Sequence, residues 1–272
     1  MSQFSISASS LIRSLISNRG LIRELVLREV SARYKGSALG VLWSFMTPLL
    51  MMAVYTFVFS VVFKARWSTD SQSKTEFALV LFAGLMVFNL FAETITRAPF
   101  LIQSSANYVK KVVFPLEILP AVSLGASLFH LIINFGVWLL FYLCFVGLPP
   151  ATAWLFGLTV VPLVFFTLGV SWFLASLGVY VRDIGQIIGV VTSILLFMSP
   201  IFYPLSALPQ QLQPWLLLNP ITQVVEGARD VLLWGNLPSV PLYLAYLAGS
   251  LTVAWLGFAW FQKTRKGFAD VI

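Results

Sequence analysis

The chain alternates between long apolar stretches and short polar ones. Six stretches, at residues 38–63, 77–96, 116–146, 154–181, 184–202 and 240–261, are almost free of charge, and what charge they hold lies near their ends. Each has about the 20 residues that a helix needs to cross hydrocarbon. This pattern predicts an all-α membrane protein with six transmembrane helices in one domain spanning residues 1–272. Ahead of the first span, residues 20–35 read as an amphipathic helix. Glu24, Arg28, Ser31 and Lys35 form one stripe, and Ile22, Val26, Leu27, Val30 and Tyr34 another. Arg23 and Arg33 border the apolar side, where their charges can snorkel to headgroups. The pattern fits an interfacial helix, either a simple basic anchor or a surface for a partner, within a cytoplasmic segment covering residues 1–35. Gly36 and Ser37 supply the joint at which the backbone turns from lying on the membrane to crossing it.

The polar connections differ in character. Residues 98–115 include a capped turn from Ser104 or Ser105 that would present Asn107, Tyr108, Lys110 and Lys111, either as a docking knob or as a solvated basic loop. Arg182 and Asp183 make a minimal hairpin between the fourth and fifth spans. Gly185 and Gly189 offer a small-residue face for close helix approach, and Ser199-Pro200 loosens the fifth helix near its end. Residues 203–239 are apolar but cut by five prolines, so they cannot span. They predict two short helices, about 209–218 and 220–234, dipping into the membrane surface with Glu226, Arg229 and Asp230 near water.

Composition supports this picture. Hydrophobic residues make up 59% and charged residues 10%, against about 25% charged in soluble domains. The net charge of +7 comes from short basic runs at the ends of apolar segments. Nucleic acid, which needs a continuous basic face, is therefore not an expected partner. Six spans put both termini on one side. With that side cytoplasmic, basic residues favour the inside by about three to one, as the positive-inside rule requires. The opening serine-rich residues, interrupted by Arg13, lack the core and cleavage site of a secretory signal, so the first span is expected to act as the insertion signal. The single cysteine, Cys144, excludes an intramolecular disulfide.

Chemistry is sparse. The sequence contains neither a G-x-x-x-x-G-K-[ST] phosphate loop nor an H-E-x-x-H motif. His130 and Asn134 share a face, and a lone histidine within a span more often bonds a neighbouring helix than a metal. Glu93 and Arg97, one turn apart, are expected to pair. A membrane-embedded transferase would have to draw on Glu93 and His130. The energy for any transport must come from another chain. Aromatic residues reach 15%, with Tyr55 and Phe59 in the first span and Phe197, Phe202 and Tyr203 in or beside the fifth. Most such rings pack against lipid or other helices, but a set of them can also stack on sugar rings without fixing their register.

Three ordered pieces carry a resemblance. RYKGSALGVLWSFMTPLLMMAVYTFVFSVVF comes first, then KKVVFPLEILP, then SPIFYPLSALP with LLLNPITQVVEGARDVLLWGNLP. Together they resemble the permease subunit of ABC-2 type polysaccharide exporters, especially those for O-antigen and teichoic acid, over nearly the whole chain. The resemblance implies a non-enzymatic subunit in the bacterial inner membrane, forming a homodimer with two copies of a separate ATP-binding subunit. ATP and Mg would be bound only by that partner, with no cofactor or metal in this chain. The cargo would be a glycan linked to undecaprenyl diphosphate. An exporter of small apolar drugs or lipids is the alternative within the superfamily. By the same likeness, 98–115 would be a cytoplasmic coupling loop and 203–239 a periplasmic gate region. Tyr55, Phe59, Phe197, Met198, Phe202 and Tyr203 would line the channel, and Arg33, Tyr34, Lys35, Asn107, Tyr108, Lys110 and Lys111 would couple to the ATPase.

Overall fold

The computed structural model describes residues 5–58, 74–106 and 114–272. Among these the protein is helical, with no strand. Two helices come first, the amphipathic α1 (Ala8–Ser17) and the more polar α2 (Arg19–Tyr34). The first was not marked as a helix by the sequence pattern. Ser7 caps it, accepting a bond from the Ser9 amide, and Leu11 and Leu15 pack towards the core. α2 matches the expected surface helix and lies along a later helix, so closely at Val26 that a Cβ on Gly125 would come within 2.6 Å of it. The chain then turns at Gly36, whose φ of 86° is a left-handed value that suits glycine.

The bundle follows as α3 (Trp43–Tyr55), α4 (Lys74–Arg97), α5 (Leu119–Phe145), α6 (Phe156–Tyr180) and α7 (Ile184–Met198). Two short helices, α8 (Gln213–Leu217) and α9 (Pro220–Arg229), lead to α10 (Val240–Thr264) and a last turn, α11 (Phe268–Val271). Among the described residues, four helical segments are long and apolar enough to cross a membrane: Thr75–Phe100, Leu116–Phe145, Ala151–Tyr180 and Val240–Val271. The apolar helices Trp43–Val58 and Ile184–Met198 are shorter. The 15 residues of α7 rise about 22 Å, less than the hydrocarbon thickness. The fifth stretch was expected to stay helical to residue 202, but the helix stops at Met198, because Ser199 is extended and Pro200 cannot continue it. Residues 59–63, which would close the first span, lie outside the described residues.

α4 is the axis of the bundle. Nearly every residue from Phe77 to Phe91 is buried, whereas α5 and α10 leave much of their surface uncovered. Trp138 of α5 donates to the Leu79 carbonyl of α4 at 3.2 Å. α6 and α10 run parallel, held by Tyr243 donating to the Leu158 carbonyl at one end and by Ser176 against Thr264 at the other. Between these, Gly169 and Gly257 bring the two backbones together. A Cβ at Gly257 would collide with the Gly169 carbonyl, and one at Gly169 with Val253. The close approach predicted at Gly185 and Gly189 takes another form. Gly185 is pressed by the Phe100 ring, and Gly189 faces open space. Pro120, where a bend was expected, stands in the first turn of α5, where its missing N–H costs nothing.

Residues 203–239 form the two short helices the sequence predicts; α8 stays exposed as expected, but α9 does not lie at the surface. Asn219 caps α9 by accepting from the Ile221 amide at 3.0 Å, and Pro220 occupies the first turn. Ile221, Val224, Val225 and Ala228 are buried against α4 and α6. Arg229, expected near water, is 0% exposed. It donates to the carbonyls of Pro200 (2.6 Å), Ile201 (2.9 Å) and Val80 (3.2 Å) and to Glu226 (2.7 Å). The reason is geometric. The break after α7 frees carbonyls that must find donors away from water, and a guanidinium offers five N–H groups in one fork. Burial pulls Arg229 down to about 10 and pushes the Glu226 carboxyl up, so desolvation outweighs their mutual attraction. Gly84 leaves the room, since a Cβ there would lie 2.8 Å from Arg229 Nη2.

Three outcomes follow for thermal unfolding of the detergent-solubilised protein. Arg229→Met strands the carbonyls and Glu226 and lowers stability by about 3–5 kcal/mol. Gly257→Ala forces α6 and α10 apart at a cost of about 1–3 kcal/mol. Gly249→Ala, with nothing within 4 Å of the new methyl, is neutral or stabilising.

Candidate functional site

At the end of the bundle where α4 finishes, α2 is fixed by two crossed ion pairs. Glu29 and Arg33 lie one turn apart on α2, and Glu93 and Arg97 one turn apart on α4. Glu29 pairs with Arg97 at 2.5 Å, and Arg33 pairs with Glu93. The antiparallel helices thus match charge to charge. The expected pairing of Glu93 with Arg97 within α4 is replaced, because α2 offers each of them a better-placed partner.

His130 of α5 completes the cluster. Its Nδ1 lies 3.0 and 3.1 Å from the two Glu93 carboxylate oxygens, and its Nε2 lies 3.2 Å from the Tyr34 hydroxyl. A carboxylate only accepts, so Nδ1 carries the proton and donates to Glu93, leaving Nε2 to accept from Tyr34. Burial raises the Tyr34 hydroxyl above its ordinary pKa and keeps it a donor. Arg33 Nη2 is a second donor serving the same carboxylate. His130 therefore makes the interhelical bonds its sequence context predicted. Among the described residues no group of three or more histidine, cysteine, aspartate or glutamate side chains could hold a metal ion.

This cluster closes one end of a cavity of about 500 Å³ between α3, α4 and α5. Polar groups of Ser44, Thr47, Asn89, Thr96 and Asn134 follow, and the far end is lined by Tyr55, Phe82, Met86 and Leu196. The space is therefore polar and charged at one end and aromatic and apolar at the other, a shape suited to an amphiphile. Glu93 and His130, the two groups a transferase would need, are in contact, but Arg33 already neutralises the carboxylate.

Four of the six residues expected to line a channel meet beside this cavity. The Tyr55 and Phe202 rings are 6.3 Å apart and those of Phe197 and Phe202 5.6 Å, and the Tyr203 hydroxyl donates to the Phe197 carbonyl at 2.9 Å. Phe197 and Met198 are exposed on an uncovered face of α7. Phe59 lies outside the described residues. Of the residues assigned to coupling, Arg33 and Tyr34 turn into the cavity and Lys35 is exposed, while Asn107, Tyr108, Lys110 and Lys111 are outside the described residues. Sequence reasoning missed Glu29 as the partner of Arg97. The four-residue spacing from Glu to Arg on both helices, which matches charge to charge when they pack antiparallel, was the signal available.

A charge exchange tests the crossed pairs. Glu29→Arg alone sets two cations together and lowers the unfolding midpoint by the equivalent of about 1 kcal/mol, as does Arg97→Glu, and the double exchange recovers most of the loss.

Comparison with known proteins agrees with this architecture. The chain is 29% identical to the "O-antigen export system permease protein RfbA" of Myxococcus xanthus, over 96% of its own length and 99% of that protein's. It is 25% identical to a Klebsiella pneumoniae protein of the same description, over 94% and 97%. It is 24% identical to the "Polysialic acid transport protein KpsM" of Escherichia coli, over 90% and 93%. The family model described as ABC-2 type transporter matches residues 20–233. That match runs from the start of the surface helix to just past buried Arg229 and takes in most of the sequence, so the chain belongs to the ABC-2 type transporter family.

Proposed function

We propose that this chain is the membrane-embedded permease of a polysaccharide exporter in the bacterial inner membrane. The observation that carries the reading is the near end-to-end match to permeases named for O-antigen export and polysialic acid transport. In this reading two copies form a six-span-per-subunit homodimer with cytoplasmic termini. Two copies of a separate ATP-hydrolysing subunit drive it, and the cargo is a glycan linked to undecaprenyl diphosphate that moves from cytoplasm to periplasm. The chain is not itself an enzyme, and ATP with its Mg would sit on the partner.

Two physical features support the reading. First, apolar side chains of α3 (Leu50, Met51, Val54) and α7 (Ile187, Val190, Ile194) stay exposed in the single chain. They would be buried if a second copy joined across these helices. Second, the joined aromatic side chains Tyr55, Phe197, Phe202 and Tyr203 would then face a shared path, where rings can stack on successive sugars while passing them along. The residues 98–115 would meet the motor. Its strokes would reach the helices as rigid-body displacement, because close-packed interiors shift between arrangements rather than deform smoothly. Arg33 and Tyr34 would act from the cavity side, tying α2 to α4 and α5.

Deleting the gene in its own host is expected to remove surface glycan, and affinity purification of the tagged chain is expected to bring down an ATP-hydrolysing subunit. In a Cys144→Ser background, Ser104→Cys is expected to react with a membrane-impermeant thiol reagent only in inverted vesicles. Intact surface glycan alongside new sensitivity to an apolar compound would shift the cargo to small apolar molecules. Labelling from the outer face would reverse the topology and sink the reading.

A further inference from the structure

A second ionic node sits at the same end of the bundle and is not part of the cavity. Glu117 lies in the turn before α5 and is 8% exposed. Both of its carboxylate oxygens are engaged. Oε1 accepts from Ser14 of α1 at 2.9 Å, and Oε2 accepts from Arg265, just after α10, at 2.5 Å. Its backbone carbonyl accepts from buried Trp172 of α6 at 2.8 Å. Arg265 uses its other terminal nitrogen on the Phe114 carbonyl at 2.8 Å. One guanidinium fork thus holds residues 114 and 117 to the end of α10, and one carboxylate joins the first helix of the chain to its last segment.

The other side of the same connection is fastened too. Gln103 donates to the Gly178 carbonyl at 2.5 Å, and Gly178 is in backbone contact with Pro99. The end of α10 is in turn tied to α6, with Tyr180 donating to the Thr264 carbonyl at 2.8 Å and Phe268 fully buried against Tyr180 and Phe261. Both flanks of the connection between α4 and α5 are therefore mounted on the parallel pair α6 and α10.

We propose that Glu117 and Arg265 are positioning residues for transport. They clamp the connection between α4 and α5 to α6 and α10, so that a push on it is delivered to that pair rather than absorbed locally. This rests on the reading of 98–115 as the contact with the motor. A lysine at 265 keeps the charge but cannot hold Glu117 and the Phe114 carbonyl with one planar fork. A merely structural role would lower folding, assembly, ATP hydrolysis and export together. A positioning role separates export from the rest.

The test uses the full chain co-purified with its ATP-hydrolysing partner, and cells assayed for surface glycan. Arg265→Lys and Glu117→Gln are expected to lower export about tenfold while complex yield and ATP hydrolysis stay within about twofold of wild type. The exchange of Glu117→Arg with Arg265→Glu is expected to export more than either of its single changes. Should Arg265→Lys fail to accumulate, Glu117→Gln, which keeps the shape, decides the matter. Wild-type export in the single variants, or parallel loss of yield, hydrolysis and export with no recovery in the exchange, overturns the proposal and leaves the exporter reading intact. A wild-type chain that brings down no ATP-hydrolysing partner overturns both.

Discussion

A backbone that leaves its helix inside an apolar bundle must find donors for its carbonyls within the protein, and this constraint is answered here by Arg229. The end of α7 at Met198 frees the carbonyls of Pro200 and Ile201, and the Arg229 guanidinium takes both together with Val80 of α4. Burying that cation is unfavourable, which is why its proton is held less tightly than an exposed arginine's even with Glu226 beside it. The arrangement therefore serves specificity of position more than stability. It fixes α9 between α4 and α6 and places Phe202 and Tyr203, the next residues along, against Phe197 and Tyr55.

The opposite end of the bundle solves a different problem. There the surface helices must be attached to helices that have little polar surface, and charge is used at each attachment. Glu29 and Arg33 on α2 cross to Arg97 and Glu93 on α4, and Arg265 beyond α10 reaches Glu117 before α5. Each pair joins segments far apart in sequence: the crossed pairs tie α2 to α4, and the last ties the turn before α5 to the segment after α10.

The cavity between α3, α4 and α5 lies between these two ends. Its charged end is built from the α2 attachment itself, and its aromatic end adjoins the loop held by Arg229. The α2 attachment and the cavity lining therefore draw on the same side chains, whereas the Glu117 and Arg265 node lies apart from the cavity.

The long apolar runs, the surface helix at 20–35, the turn at Gly36 and the short helices between prolines were all legible from the sequence, because each depends on local periodicity, capping or backbone freedom. Tyr55, Phe197, Phe202 and Tyr203, named together by family likeness rather than spacing, are neighbours in the structure. What tertiary structure alone decided is where the charges go. Glu93 is four residues from Arg97, yet it pairs with Arg33 and His130, and Arg229 reads as a surface residue, yet it is the most enclosed cation in the described chain. A charge near lipid is driven to whatever partner the packing brings within reach: Glu93 and Arg97 find theirs on another helix, and Arg229, beside Glu226, finds carbonyls on segments distant in sequence.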